Sequence, residues 1–238
     1  MEDFERIEEL KRERRRARRR KRRNKLLWHI VLCSAVILTL LSAAVVYLKA
    51  EANEKETEKK EQLELRVENT PEVNVQLLPI NEYSRPGTEL KKVKGIVVHY
   101  TGNPGTTAMQ NRSYFEGLAE SKITKASSHY IIGLSGEIIQ CVPLNEIAYA
   151  SNQRNVDTIS IECCIDNEEG KFNDKTYDAL VELTAWLVGE YHLTISDIIR
   201  HHDVSGKICP KYFVEHESAW EDFKIDVKKY IDTHGVKK

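Results

Sequence analysis

Thr158-Ile159-Ser160-Ile161-Glu162-Cys163-Cys164-Ile165 is the stretch on which the fold turns. It is β-branched and apolar apart from a single carboxylate, which reads as a central strand. An acid on such a strand is costly unless it is used, so Glu162 stands out as a candidate functional group. Its plainer alternative is an acid paired with a nearby lysine.

Upstream, Ile96-Val97-Val98 reads as a short buried strand that follows Gly95 and ends at His99. Met109, Tyr114, Phe115 and Leu118 have the spacing of a helix over 107–121. Two strands over 129–133 and 137–142 flank Leu134-Ser135-Gly136, a hairpin signal. Downstream, Asn173 with Asp174 in the first turn can cap a helix running to about Glu190, with Leu180, Leu183, Trp186 and Leu187 inward. Residues 195–200 lead into His201, and an amphipathic helix over 218–231 closes the chain. Strands alternating with helices predict an α/β domain, a central mainly β-sheet flanked by helices. No internal repeat is evident.

His99 is placed at a strand end, from which a side chain can project into a cleft. His201 and Cys209 flank His201-His202-Asp203-Val204-Ser205-Gly206-Lys207-Ile208-Cys209-Pro210. Two imidazoles and a thiolate are suitable zinc ligands, and three protein ligands leave a fourth position open for the water that hydrolysis needs. By spacing alone, His99 also reads as a half-buried strand-end histidine and Cys209 as a small buried hydrophobe. Cys141, Cys163, Cys164 and Cys209 do not have the spacing of a disulfide framework. Adjacent Cys163 and Cys164 point to opposite faces of a strand.

The N-terminal part has a different character. Residues 1–25 hold 13 Lys/Arg against 6 Asp/Glu, so the formal net charge of −1 hides a basic tail on an acidic remainder. Residues 26–48 follow with no formal charge and cover roughly 34 Å as a helix, enough for a bilayer core of about 30 Å. Trp28 and Tyr47 lie near the ends, where aromatic rings favour the interface. A cluster of Lys/Arg just before the span predicts a cytoplasmic N-terminus and a translocated C-terminal part. The apolar stretch is longer than a signal-peptide core of about 7–15 residues, so an anchor is favoured over a cleaved signal, although Ala50 and Ala52 offer a small-x-small site. Anionic lipid explains the basic run better than nucleic acid, since no aromatic or folded module accompanies it. The predicted order is a basic cytoplasmic tail (1–25), one transmembrane helix (26–48), a charged extracytoplasmic stalk (49–75) and a globular domain (76–238).

Four stretches then act together: Val97-Val98-His99-Tyr100-Thr101, Ser128-His129-Tyr130-Ile131-Ile132, Ile159-Ser160-Ile161-Glu162, and His201-His202-Asp203-Val204 through Lys207-Ile208-Cys209-Pro210. Together they resemble the N-acetylmuramoyl-L-alanine amidases, the zinc amidases shared with phage lysins and peptidoglycan-recognition proteins. The likeness runs from about residue 76 to about residue 231, and the last loop is its most specific part.

The resemblance implies Zn2+ held by His99, His201 and Cys209, with His202 the less suited neighbour. It implies Lys207 stabilising an oxyanion and Glu162 as general base then acid in cleaving the bond between N-acetylmuramic acid and L-alanine of peptidoglycan. The tyrosine that phage members often carry before the second-strand histidine is Ser128 here, which moves that role elsewhere. A frequent Trp-His pair is replaced by Ala148-Tyr149-Ala150-Ser151, so a substrate contact made there is not carried over to this chain. Leu134-Ser135-Gly136 stands for the common Arg-Asp-Gly turn and keeps its glycine.

Tyr100, Thr101, Asn103, His129 and Asn152 are weaker substrate-binding candidates, chosen from position beside the expected cleft. His129 reads equally well as a satisfied core histidine. The expected protein is a monomeric hydrolase on the bacterial cell membrane, single-pass, with peptidoglycan and the membrane as partners and no nucleic acid. The alternative is a non-catalytic peptidoglycan-binding module of the same fold. A fourth protein ligand from His202 or Asp203 would favour a purely structural zinc.

Overall fold

The computed structural model describes residues 65–237 without interruption, together with residues 20, 21, 23, 25, 28, 37, 40–53, 56 and 57. Two compact units divide between Glu58 and Lys59. Within the first, 40–53 are helical. Among the described residues no helix is long and apolar enough to cross a membrane. About half of the span expected over 26–48 lies outside the described residues, its cysteine Cys33 included.

The second unit contains β1 (Leu65–Val67), β2 (Val73–Val75), β3 (Ile96–Tyr100), α1 (Ala108–Ser121), β4 (Tyr130–Ile132), β5 (Ile138–Gln140) and β6 (Ile159–Cys163). These are followed by α2 (Asp174–Glu190), β7 (Ile198–Arg200), α3 (His201–Ser205), α4 (Lys211–Glu215), α5 (Glu217–His234) and β8 (Gly235–Lys237). Six strands form one mixed sheet in the order β2-β5-β4-β6-β3-β7. β6 lies between β4 and β3 and is parallel to both, and β7 is parallel to β3 on its other side. The antiparallel pair is the β4–β5 hairpin. The stretch Thr158–Ile165 therefore does supply an interior strand, and the α/β expectation holds for this unit.

Side chains alternate across a strand, so each strand feeds two layers. Ile96 and Val98 of β3, with Ile159, Ile161 and Cys163 of β6, join Leu180, Leu183 and Leu187 of α2 and Phe223, Val227 and Ile231 of α5 in the larger core. Ile131 and Ile139 face the other way, onto Ala108, Phe115 and Leu118 of α1. Cys163 and Cys164 divide between these two cores, as alternation requires. α1 packs over β4 and β5. On that same face, further along the sheet, stand His99 and Glu162, which are register partners on β3 and β6.

Local chemistry sets the element boundaries. Thr107 caps α1 by accepting from the Gln110 amide, and the Gln110 side chain accepts from the Thr107 amide in return. Asn173 caps α2 by accepting from the Thr176 amide at 2.9 Å. Gly136 turns the hairpin at φ 85°, and a Cβ there would come within 2.9 Å of the Lys175 carbonyl oxygen.

Three features differ from the sequence reading. Leu65–Val67 and Val73–Val75 are strands, although they fall in the stretch read as stalk. β1 pairs antiparallel with β8, and Val67 is buried in the larger core. The loop after β7 also holds two short helices, α3 and α4, the first beginning at His201 itself.

Candidate metal centre and active site

His99 is the fourth residue of β3, and the parallel register sets Glu162 of β6 beside it on the same sheet face. β7, on the other side of β3, ends at Arg200 and delivers His201 at the start of α3. Cys209 follows that helix. Arg200 holds the junction in place. It is buried, and its guanidinium donates to Asp203 at 2.9 Å, to Glu217 at 2.6 Å and to the Phe213 carbonyl at 2.9 Å.

His99, His201 and Cys209 are all buried, and their ligating atoms lie within 4.8 Å of one another. The two imidazole rings are 4.6 Å apart between centroids, tilted by 54°. Cys209 Sγ is 3.9 Å from His99 Nδ1, and Glu162 Oε1 is 4.0 Å from the same nitrogen. These groups stand in an open cleft of about 400 Å³ whose walls include Tyr100, Phe115, Lys125, Tyr149, Asn152 and Lys207.

Burial dominates the electrostatics. It holds His99 well below the ordinary histidine range, with His201 and Lys207 pushing the same way. His201 is lowered by burial and then by Lys207. Burial pushes the Cys209 thiol up to about 12, Glu162 adding to the rise while Tyr100 and Lys207 oppose it. Glu162 is likewise pushed up to about 8 by burial, with Lys207 opposing. Its Oε2 is buried without a hydrogen-bond partner.

Two imidazoles held neutral by burial, a buried thiol and an orphaned carboxylate oxygen converge in the cleft, with Lys207 the cation on its wall. A divalent ion that binds nitrogen and sulfur fits that donor set.

No fourth protein ligand joins the set among the described residues. His202 Nδ1 donates to the Lys207 carbonyl at 3.1 Å, and Asp203 is engaged by Arg200. The free, buried Cys141, Cys163 and Cys164 stand outside it.

Of the other residues singled out in the sequence, Tyr100, Lys207 and Asn152 line the cleft. Asn152 Oδ1 is 2.9 Å from His201 Nε2, so this side chain meets a candidate ligand rather than open space. Thr101 pairs its amide with the Cys163 carbonyl, and its hydroxyl oxygen is buried without a partner. Asn103 is exposed and donates to Asn111 at 3.0 Å, away from the cleft wall.

His129 is also absent from the wall. Its Nε2 donates to the Glu146 carbonyl at 2.9 Å, and its Nδ1 accepts from the Ser160 amide at 3.0 Å. Both ring nitrogens are thus used inside the fold, and of the two readings the core one describes its surroundings. Sequence reasoning missed Lys125, Tyr149 and Ser151. The Ser151 hydroxyl lies 3.1 Å from His99 Nε2, and nothing in its sequence neighbourhood signals that contact.

Comparison with known proteins agrees with this arrangement. Residues 89–212 match the family described as N-acetylmuramoyl-L-alanine amidase. The N-acetylmuramoyl-L-alanine amidase CwlL of Bacillus licheniformis is 36% identical over 172 residues, which cover 67% of this chain and 47% of that protein. The amidase BlyA of Bacillus subtilis (strain 168) is 33% identical over 182 residues, covering 68% and 48% respectively. The chain thus spans about half the length of these curated relatives.

Among solved structures, the PlyG catalytic domain is 28% identical with a TM-score of 0.57, over 66% of this chain and 94% of that one. A mutant endolysin from Bacillus subtilis is 27% identical with a TM-score of 0.56, over 66% and 99%. The family match covers more than half of the chain and includes His99, Glu162, His201, Lys207 and Cys209. On that match, this chain belongs to the N-acetylmuramoyl-L-alanine amidase family.

Proposed function

We propose that this chain is a zinc-dependent hydrolase that cleaves the amide between N-acetylmuramic acid and the L-alanine of the peptidoglycan stem peptide. The observation that carries the reading is the three-donor set of His99, His201 and Cys209, with no fourth protein ligand among the described residues, opening onto a solvent cleft beside Glu162. A purely structural zinc site is closed by four ligands, whereas a catalytic site keeps one position free. A binding module of the same fold has no use for that combination.

Zinc in this site supplies a Lewis acid for the scissile carbonyl and lowers the pKa of water to about 7. Glu162, ionised once a cation sits beside it and with one oxygen uncommitted, takes a proton from the attacking water as its oxygen joins the carbonyl carbon. The same carboxyl returns that proton to the leaving L-alanine nitrogen as the amide bond breaks. Lys207, on the cleft wall, sets its ammonium towards the negative charge that grows on the carbonyl oxygen.

Residues 26–48 anchor this unit in the bacterial cell membrane, with the basic tail in the cytoplasm and the hydrolase outside. The charge asymmetry and the length of the apolar run support this orientation. Residues 49–64, of which 49–53 are helical, then reach at most about 45 Å, which favours work on the cell's own wall close to the membrane.

The test is Glu162→Gln. It should keep one zinc per chain while turnover of purified peptidoglycan falls by about 10²-fold or more. Unchanged turnover would move the base to another residue.

A further inference from the structure

We infer that Ser151 and Asn152 are positioning residues that fix the ring orientation and tautomer of the two histidine ligands, so that each presents Nδ1 to the metal. The inference rests on the zinc reading above. It starts from an arrangement that the sequence does not announce: two consecutive residues each hold the Nε2 side of a different histidine. Asn152 Oδ1 lies 2.9 Å from His201 Nε2, and Ser151 Oγ lies 3.1 Å from His99 Nε2.

A carbonyl oxygen only accepts, so the His201 nitrogen facing Asn152 carries the proton and Nδ1 keeps its lone pair. For His99 the opposite edge decides. Nδ1 is the nitrogen that faces Cys209 Sγ at 3.9 Å and Glu162 Oε1 at 4.0 Å. Its lone pair belongs to the donor cluster, which leaves the proton on Nε2, donated to the Ser151 hydroxyl. Hydrogen bonds of this kind to the far nitrogen of a ligating histidine set both its tautomer and its basicity.

The turn that carries the pair is itself held. Asn155 Oδ1 accepts from the Ala150 amide at 3.1 Å and the Ser151 amide at 2.6 Å. Thr158 Oγ1 donates to the Arg154 carbonyl at 2.7 Å, closing the far side of the turn. Gln153 Nε2 donates to the Val204 carbonyl at 3.1 Å, tying the turn to the helix that begins at His201. Asn152 has φ 52°, a left-handed conformation that asparagine tolerates better than most residues. The residue at 152 thus meets two demands, a left-handed backbone and an acceptor aimed at His201.

The test uses full-length protein in detergent, with zinc affinity read by competition against a chromogenic chelator. Asn152→Gly keeps the left-handed backbone and removes the acceptor, and Ser151→Ala removes the hydroxyl. Each should weaken zinc binding by about tenfold or more, while Ser151→Thr restores the affinity. Nitrogen-15 spectra of the zinc-loaded wild type should show Nδ1 as the bound nitrogen of both histidines, with protonated Nε2 partners. The protonated Nε2 signal of His201 should broaden by exchange in Asn152→Gly. A wild type that takes up no zinc overturns the metal reading itself. One tightly bound zinc, with both variants matching the wild-type affinity or Nε2 as the bound nitrogen, overturns this assignment alone.

Discussion

At the scale of single residues, the fold puts its polar side chains to two uses. His99, Glu162, His201 and Cys209 converge on one site, whereas His129 is consumed as a brace between β4 and β6. Burial lowers the His129 pKa to about 4, against 6.5 for an ordinary histidine, with the Glu146 carbonyl and carboxylate pulling the other way. The unfolded chain therefore binds the extra proton between those two values. Stability is present in full above pH 6.5 and is lost as pH falls towards 4. For this one group the loss between pH 7 and pH 5 is about 2 kcal/mol. Denaturant midpoints at the two pH values should show that loss in wild type, and a smaller one in His129→Asn. Equal losses would reject the brace.

The candidate donors His99, His201 and Cys209 were legible through the family resemblance, since by spacing alone they also read as a strand-end histidine and a small buried hydrophobe. The partners of their far nitrogens were not, since a contact between Asn152 and His201 is made by folding and leaves no spacing to read.

Elements tell a similar story. The interior strands were readable from apolar, β-branched runs, α1 from its periodicity, and α2 from its cap and periodicity. The pieces that escaped are short and depend on distant partners. Leu65–Val67 lies in a Glu/Lys-rich stretch and becomes a strand only by pairing with Gly235–Lys237 at the other end of the unit. Helices α3 and α4 are too short to show a period. They are held by Arg200, which joins Asp203, Glu217 and the Phe213 carbonyl and lies 5.4 Å over the Trp220 ring.

Removing one partner from such a buried cluster strands the others. Arg200→Ala should cost about 3 kcal/mol by chemical denaturation, near the low end for buried pairs because Glu217 is largely exposed. It should also weaken zinc binding, since His201 is the next residue. A change below about 0.5 kcal/mol would show that the junction is held by something other than Arg200.

At the scale of the whole molecule, charge and hydropathy divide the chain before any fold is considered. A basic, apolar N-terminal part precedes a second unit that starts at Lys59 and ties its ends together through β1 and β8. The full-length chain should remain in the membrane pellet after an alkaline wash. A fragment of residues 59–238 should be released into solution and unfold in one cooperative step. A fragment starting at residue 76 lacks β1 and β2, exposes the core contacts of Val67, and should melt at lower temperature. Full-length protein in the wash supernatant would remove the anchor from this account.

The most direct test of the central claim is digestion of purified peptidoglycan by the full-length protein in detergent, with products identified by mass spectrometry, repeated after chelation and after zinc is restored. The account predicts free stem peptides beginning at L-alanine that vanish with chelator and return with zinc. Binding of the polymer and of one zinc without any released peptide would contradict it, and would make the chain a peptidoglycan-binding member of its family.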